Sequence, residues 1–322
     1  MNKLRLGRTL GLLILIVSSF GQAQEAAENI PLFRSEVSLV KVDVSVAGAD
    51  GRTIGGLERG DFRVLDEGQP QSIAAFDRET DPLAMILLVD VSGSMRPSLT
   101  ELVRSTQEAL SRLHPGDRVG LMLFASRVQL VEPFTSDFHA IRTRLLTSIY
   151  KQTLGQDTFT NEALLAAARE MRALPPATRR AIVMVTDNGG ERKALQDAEV
   201  IRALQDANAV LSAIIVGKAQ GPSGPSRYAD PTSGAPDVRK YVRGTGGDFA
   251  DVGDVGDLFK KLIGTIRTRY TFQYAAPAAE TGTFRRIRVE LSPEAGRRNP
   301  GAVIQAREGY YAGVTPAPAT AK

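Results

Sequence analysis

Short stretches of alternating hydrophobic and polar residues occupy both ends of the chain. Such alternation is typical of strands with one buried and one exposed face. The stretches with this or a similar strand-like pattern are residues 40–46, 62–64, 73–76, 270–274, 287–291 and 303–306. The flanking segment at each end is about 45 residues long, which is marginal for a stable core alone. We therefore expect the two ends to fold together as one small antiparallel β-sandwich.

The middle of the chain has a different pattern. Continuous apolar runs at Met85–Val89, Ala181–Thr186 and Ala209–Val216 are typical of strands buried on both faces of a parallel sheet. Weaker strands are predicted at 119–124, 128–131 and around 249, and helices over 99–113, 137–150, 161–174, 194–208 and 255–266. This alternation predicts an α/β fold, a doubly wound and mostly parallel sheet over residues 82–267, inserted in the sandwich.

The first 23 residues have the composition of a signal peptide. Lys3, Arg5 and Arg8 precede an apolar run, Leu10–Phe20, and Gly21–Ala23 offers small residues for cleavage. The alternative is an uncleaved membrane anchor, but the apolar run is shorter than the roughly 20 residues that a membrane helix needs, so we expect no stable membrane span in the mature chain. We expect an exported protein that is periplasmic or secreted.

The remaining segments complete the predicted organisation. Residues 24–81 are the N-terminal β segment, and residues 268–312 are the C-terminal β segment that pairs with it. Residues 217–235 are rich in Gly, Pro and Ser and predict an exposed loop between a strand and a short helix. Residues 313–322, rich in Ala, Pro and Thr, predict a disordered tail.

Charge and composition argue against several classes of function. Three of the 40 Lys and Arg residues lie in the first 23 positions, which hold none of the 36 Asp and Glu residues. The rest of the chain is nearly neutral, which argues against nucleic-acid binding. The chain has no cysteine, so disulfides and thiolate metal sites are excluded.

Neither histidine suggests catalysis. His114 is predicted at a helix end and His139 on a surface helix, both away from the serines that follow a strand, which argues against a Ser-His-Asp triad. The pair Arg179-Arg180, just before a buried strand, is interpreted as a solvated turn.

Oxygen-bearing side chains cluster where the first buried strand ends. Asp90, Ser92 and Ser94 offer one carboxylate and two hydroxyls between this strand and the following helix. These are hard ligands, which suit Mg²⁺ or Ca²⁺ better than softer metals. The spacing alone is a weak signal, but its position at a strand end strengthens it.

The expected topology adds two more ligands to this cluster. In a doubly wound sheet, ligands bind beyond the carboxyl ends of the strands where the strand order reverses. If the order is 3-2-1-4-5-6, the first and fourth strands are neighbours there, and Asp187 ends the fourth strand. Thr158, just before a helix, can supply a third hydroxyl. A divalent metal site at this edge is the resulting prediction.

These residues resemble the metal-ion-dependent adhesion site of von Willebrand factor A-type domains. That motif reads Asp-x-Ser-x-Ser, then a Thr in a loop, then the Asp of Thr-Asp-Gly. The five matching positions are Asp90, Ser92, Ser94, Thr158 and Asp187, and the resemblance spans about residues 82–267. The flanking segments, with Asp61-Phe62 and Gly309-Tyr310 among others, look like bacterial von Willebrand factor A-related proteins often found in Acidobacteria.

The resemblance implies a function and leaves two positions open. In the family the hydroxyls bind the metal directly, the carboxylates often act through water, and an open position accepts a carboxylate from a partner protein. Asn188 stands where the family usually has Gly, and Asn tolerates left-handed backbone. Asp157, beside Thr158, is an alternative or additional ligand.

We expect a non-enzymatic adhesion or protein-binding module that uses Mg²⁺, with Mn²⁺ or Ca²⁺ as alternatives. Its partner is a protein that offers an Asp or Glu carboxylate. A structural or assembly subunit of an envelope complex, with the α/β domain as scaffold, is the second hypothesis. A metal-assisted hydrolase is the third, and it lacks a His or Glu placed as general base.

Overall fold

The structure is a computed structural model that describes residues 39–77, 82–151, 154–155, 157–175, 178–189, 197–216, 237–250 and 253–313. The predicted signal peptide (1–23), the predicted loop (217–235) and the predicted tail beyond residue 313 lie outside these residues. Within the described part, no helix has the length and apolar character to cross a membrane.

Strands and helices alternate through the middle of the chain and strands dominate its ends. The strands are β1 (Leu39–Ala47), β2 (Phe62–Asp66), β3 (Gln69–Gln71), β4 (Ile73–Asp77), β5 (Leu83–Asp90), β6 (Arg118–Phe124), β7 (Val128–Thr135), β8 (Arg179–Thr186), β9 (Ala209–Ile215), β10 (Phe249–Ala250), β11 (Tyr270–Ala275), β12 (Phe284–Leu291), β13 (Val303–Gln305) and β14 (Gly309–Tyr311). The helices are α1 (Arg96–Leu110), α2 (Phe138–Lys151), α3 (Thr160–Arg172), α4 (Asp197–Asp206), α5 (Val238–Thr245), α6 (Val255–Arg267) and α7 (Pro293–Arg298).

The central sheet has the predicted strand order. Its six strands lie in the order β10-β9-β8-β5-β6-β7. With β5 to β10 counted as strands 1 to 6 and the sheet read from β7, this is the order 3-2-1-4-5-6. Only β7 is antiparallel to the other strands of the sheet. Every residue of β5 and β8 is buried, because helices cover both faces of the sheet. The carboxyl ends of β5 and β8 therefore lie side by side, at the point where the strand order reverses.

Strands from both ends of the chain build the sandwich. One sheet has the order β13-β1-β11-β4 and the other β14-β12-β2-β3, so each sheet combines N-terminal and C-terminal strands. The predicted stripe of Tyr270, Phe272 and Tyr274 lies in the core between them, with Phe62 packed against the first two rings. The predicted α/β fold inserted in an antiparallel sandwich is confirmed; the domain boundaries at 81/82 and 267/268 stay a prediction.

The sequence pattern did not predict three short elements of the structure. They are β3, β14 and α7, each six residues or shorter. β3 contains Pro70 and pairs only with β2, as expected of an edge strand. Such elements are stabilised by the strand or turn beside them and carry no periodicity of their own.

The interpretation of Arg179-Arg180 as a solvated turn is wrong. Both side chains are buried at the start of β8. Arg179 donates to the backbone oxygen of Ile266 (3.1 Å), in the last turn of α6, and Arg180 donates to that of Ala207 (2.6 Å), just after α4. The last carbonyls of a helix have no hydrogen-bond donor within the helix. Here the buried guanidinium groups of Arg179 and Arg180 donate to carbonyls at two helix ends.

Asp117 joins the beginning of the inserted domain to its end. Its Oδ1 accepts a hydrogen bond from the backbone N–H of Leu83 (2.9 Å), at the start of β5. The same oxygen lies 3.5 Å from Nη1 of Arg267, the last residue of α6. A single buried carboxylate thus holds together the two points where the chain passes between the domains.

A second buried carboxylate joins the two flanking segments. Asp66, at the end of β2, has no exposed surface and accepts hydrogen bonds from the hydroxyls of Tyr274 and Tyr310 (2.9 Å each). It also accepts one from Nε of Arg285 (2.8 Å). All three donors lie in the C-terminal segment, so an N-terminal acceptor satisfies them only if both segments fold together.

We predict that Asp66→Ala lowers the free energy of unfolding by about 3 kcal/mol. The substitution leaves the buried hydroxyls of Tyr274 and Tyr310 and the guanidinium of Arg285 without their acceptor. Glu108→Ala, which removes an exposed partner of Lys260, is the matched control, with an expected change within about 0.5 kcal/mol. Urea unfolding monitored by circular dichroism measures both. Equal effects of the two substitutions would contradict the proposed role of Asp66.

Candidate metal centre

The carboxylate of Asp90 is fully buried and held on both oxygens. Its Oδ1 accepts a hydrogen bond from the backbone N–H of Ser92 (2.9 Å), and this hydrogen bond forms an Asx-turn. Its Oδ2 accepts one from the hydroxyl of Thr186 (2.9 Å), at the end of β8. The neighbouring strands β5 and β8 therefore fix the orientation of the carboxylate together.

The two serines follow Asp90 in a tight turn. Residues Gly93–Met95 form one turn of 3₁₀ helix that leads into α1. The hydroxyl oxygens of Ser92 and Ser94 lie 3.3 Å apart, so they face the same point. Ser92 is buried and Ser94 is exposed, which leaves the cluster open to solvent on the side of Ser94.

Asp187 brings a second carboxylate to the same edge. It follows β8 directly, is half-buried, and accepts a hydrogen bond from the backbone N–H of Gly189 (2.9 Å). Burial raises the pKa of Asp90 from 3.8 to about 6, and the negative charge of Asp187 contributes to this shift. In the described part of the chain, neither carboxylate forms an ion pair.

Asn188 adopts the backbone conformation that the family's Gly would allow. Its φ is 59°, in the left-handed region, so the turn after Asp187 forms as expected. Its side chain also connects this turn to α5: Oδ1 accepts from the backbone N–H of Val238 (2.9 Å), and Nδ2 lies 3.3 Å from Oδ1 of Asp237. A glycine could not make these contacts.

Thr158 lies on the loop that packs against the end of β6. The next residue, Phe159, donates its backbone N–H to the carbonyl of Ala125 (3.0 Å), and Val91 donates to the preceding carbonyl, that of Phe124 (2.9 Å). The Thr158 loop and the Asp90 turn are thus anchored on adjacent residues of one strand end. Thr158 is buried.

Asp157, the alternative ligand, is hydrogen-bonded to Ser126, which is not one of the predicted ligands. It is exposed, and its Oδ2 accepts a hydrogen bond from the hydroxyl of Ser126 (3.2 Å), which in turn accepts from the backbone N–H of Asp157 (2.9 Å). This reciprocal pair fixes the loop and favours Thr158 over Asp157 as the residue that faces the site.

The donor set fits a hard divalent cation. The five predicted ligands comprise two carboxylates without a cationic partner among the described residues and three hydroxyls, one of them exposed. The described residues contain no group of three or more His, Cys, Asp or Glu that could hold a metal. A buried carboxylate beside a second one is costly unless a cation compensates them.

Thr186 is the contributor that the sequence alone did not single out. The signal was present, because the family motif has a Thr before its second Asp. The histidines lie elsewhere: Nδ1 of His114 is 2.6 Å from the guanidinium of Arg267, and His139 is exposed on α2. Neither is near the strand ends that carry Asp90 and Asp187.

The family model of the von Willebrand factor type A domain matches residues 85–191. This segment includes all five predicted site residues and the strands β5, β6 and β8. The chain contains a von Willebrand factor type A domain. The Acidobacteria-type likeness of the flanking segments stays a prediction, and no curated protein matches the chain.

Several solved structures are similar to the chain. An aerotolerance-related membrane protein from Bacteroides fragilis is 20% identical, with a TM-score of 0.44, over 57% of this chain and 98% of that one. A von Willebrand factor type A protein from Catenulispora acidiphila is 12% identical, with a TM-score of 0.42, over 87% and 75%. Manganese-loaded TRAP from Plasmodium vivax is 14% identical, with a TM-score of 0.43, over 77% and 98%. The assignment rests on the family model and not on these distant similarities.

The raised pKa of Asp90 predicts a specific pH dependence. A carboxyl whose folded-state pKa lies above its unfolded value stabilises the fold at low pH, and this contribution is lost as pH rises through about 6. We expect the metal-free wild type to lose about 2 kcal/mol of stability relative to Asp90→Asn between about pH 4.5 and pH 7. Urea unfolding in EDTA measures the difference, and parallel pH profiles of the two proteins would contradict it.

Proposed function

We propose that the chain is an exported, non-enzymatic protein-binding module with a metal-ion-dependent adhesion site. In this proposal Asp90, Ser92, Ser94, Thr158 and Asp187 hold a divalent cation, Mg²⁺ in the first place, with Mn²⁺ or Ca²⁺ as alternatives. The partner is a protein that presents an Asp or Glu carboxylate. The observation that carries the proposal is the buried carboxylate of Asp90 next to Asp187, with no Lys or Arg partner in the described part of the chain.

Charge balance explains why such a site would attract a carboxylate. A bound divalent cation supplies an electrophilic position for an external anionic oxygen. Asp90 and Asp187 together balance its two charges, while the hydroxyls of Ser92, Ser94 and Thr158 add none. The residues therefore hold the cation without saturating its affinity for a further anion.

The surrounding hydrogen bonds keep these residues in place. Thr186 and the backbone of Ser92 hold the Asp90 carboxylate, so it does not have to reorganise when a cation binds. Asn188 ties the Asp187 turn to the start of α5. The exposed side, at Ser94, is where a partner's side chain would approach.

The same geometry gives little support to hydrolysis. A metal-assisted hydrolase needs a general base beside the metal. Among the described residues, His114 contacts Arg267 at the other end of the domain, and the exposed His139 is on α2. Export is supported by the pattern of the first 23 residues. The strand pairings support domain limits at 81/82 and 267/268.

We predict that the wild-type protein binds Mg²⁺ and Mn²⁺ in isothermal titration calorimetry and that Asp90→Ala abolishes binding. Thr158→Ala is expected to weaken binding about tenfold, as is typical for the loss of a contact at a metal site. Asp157→Ala is the matched control, and we expect it to bind like the wild type because Asp157 is paired with Ser126. Absence of binding by the wild type, or equal losses in Thr158→Ala and Asp157→Ala, would contradict the site.

A second measurement separates the adhesion module from a scaffold. Immobilised wild-type protein is expected to capture its partner from the native envelope fraction in Mg²⁺ but not in EDTA, and Asp90→Ala is expected to fail in both. Capture that survives EDTA and Asp90→Ala would favour the scaffold hypothesis.

A further inference from the structure

A groove of about 530 Å³ lies between the sandwich and the α/β domain. Val46 and Val303 of the sandwich line one side, and Phe249 of β10 and Leu262 of α6 line the other. Its volume is within the range of ligand sites, and domain junctions are where such sites are often found. The groove is separate from the metal centre in its residues.

Two open strand edges border the groove. β13 pairs only with β1, and β10 pairs only with β9, so each is the last strand of its sheet in the described part of the chain. Unpaired backbone N–H and C=O groups on such an edge can pair with an added strand. Val303 is 58% exposed and Phe249 is 39% exposed, so both edges also present apolar side chains to solvent.

One uncompensated charge faces this groove. Two charged residues, Asp248 and Lys261, line it. The carboxylate of Asp248 accepts hydrogen bonds from the guanidinium of Arg269 (2.6 Å) and from the hydroxyl of Ser45 (3.1 Å), so its charge is compensated. Lys261, on α6, is exposed and has no ion pair with any described residue. The groove therefore favours a ligand with apolar groups and a negative charge.

The walls of the groove are fixed relative to each other. Ser45 belongs to β1 of the sandwich, and Asp248 directly precedes β10 of the α/β domain. Arg269 is buried and also donates to the backbone oxygen of Asp43 (3.2 Å) in β1. These polar contacts join the two walls, so a ligand need not order them on binding.

The groove and the metal centre are built by different strands. The groove is lined by the edge strand β10 and by α6, whereas Asp90 and Asp187 end the central strands β5 and β8.

We propose that this groove binds an extended peptide segment of a partner protein, which adds as a strand and places an acidic side chain at Lys261. The open edges favour a peptide over a small molecule, because backbone pairing uses groups that a small apolar acid would leave unpaired. This proposal is independent of the metal site.

The test uses a blocked heptapeptide of alternating Val and Thr with a central Asp, titrated into ¹⁵N-labelled full-length protein in EDTA. We expect saturable binding, with the amide signals of residues 303–305 or 249–250 shifted and protected from hydrogen exchange. Lys261→Glu and a peptide with Lys in place of Asp are each expected to weaken binding about tenfold. N-methylation of alternate peptide amides is expected to abolish it.

Two protein variants complete the design. Thr265→Trp, which fills the groove from α6, is expected to block binding, while Lys151→Glu, the same charge reversal on α2 outside the groove, is expected to leave it unchanged. Absence of binding would overturn the proposal. So would binding that tolerates N-methylation and Lys261→Glu, or stronger binding of dodecanoate without protection of these amides, since the groove would then be a small-molecule site.

Discussion

The burial of the Asp90 carboxylate is the constraint on which the proposed function of this chain depends. A carboxylate without exposed surface, beside a second carboxylate, is stabilised by taking up a proton or by binding a cation. The raised pKa of Asp90 reflects the unfavourable burial of its negative charge. The strand order places β8 next to β5, and Thr186 and Asp187 come to Asp90 as a consequence. The site is therefore a property of the topology as much as of the motif.

The sandwich depends on buried charge in a comparable way. Asp66 gathers donors from the C-terminal segment, and Asp117 joins the two ends of the inserted domain. Buried arginines, among them Arg179 and Arg269, connect helix ends and the sandwich through backbone oxygens. Such contacts are costly when one partner is missing, so they tie the domains to one arrangement.

Much of this architecture follows from the sequence, and the exceptions have physical reasons. The apolar runs predicted β5, β8 and β9, because strands buried on both faces need no alternation. The strand order was an assumption about doubly wound sheets, and the pairing of β5 with β8 agrees with it. Arg179 and Arg180 were misread because their partners are backbone carbonyls distant in sequence, which no local pattern reveals. For the same reason the sequence left Thr158 and Asp157 as alternatives, and the contact of Asp157 with Ser126 favours Thr158.

The central claim is that a divalent cation sits where Asp90, Ser92, Ser94, Thr158 and Asp187 converge. Anomalous diffraction from crystals of the protein soaked in Mn²⁺ tests it directly, because the peak locates the ion without any assumption about its ligands. The account predicts one strong peak bound by the hydroxyl oxygens of Ser92, Ser94 and Thr158, with Asp90 and Asp187 near it. An empty cluster at saturating Mn²⁺, or a peak held by Asp157 away from Asp90, would contradict it.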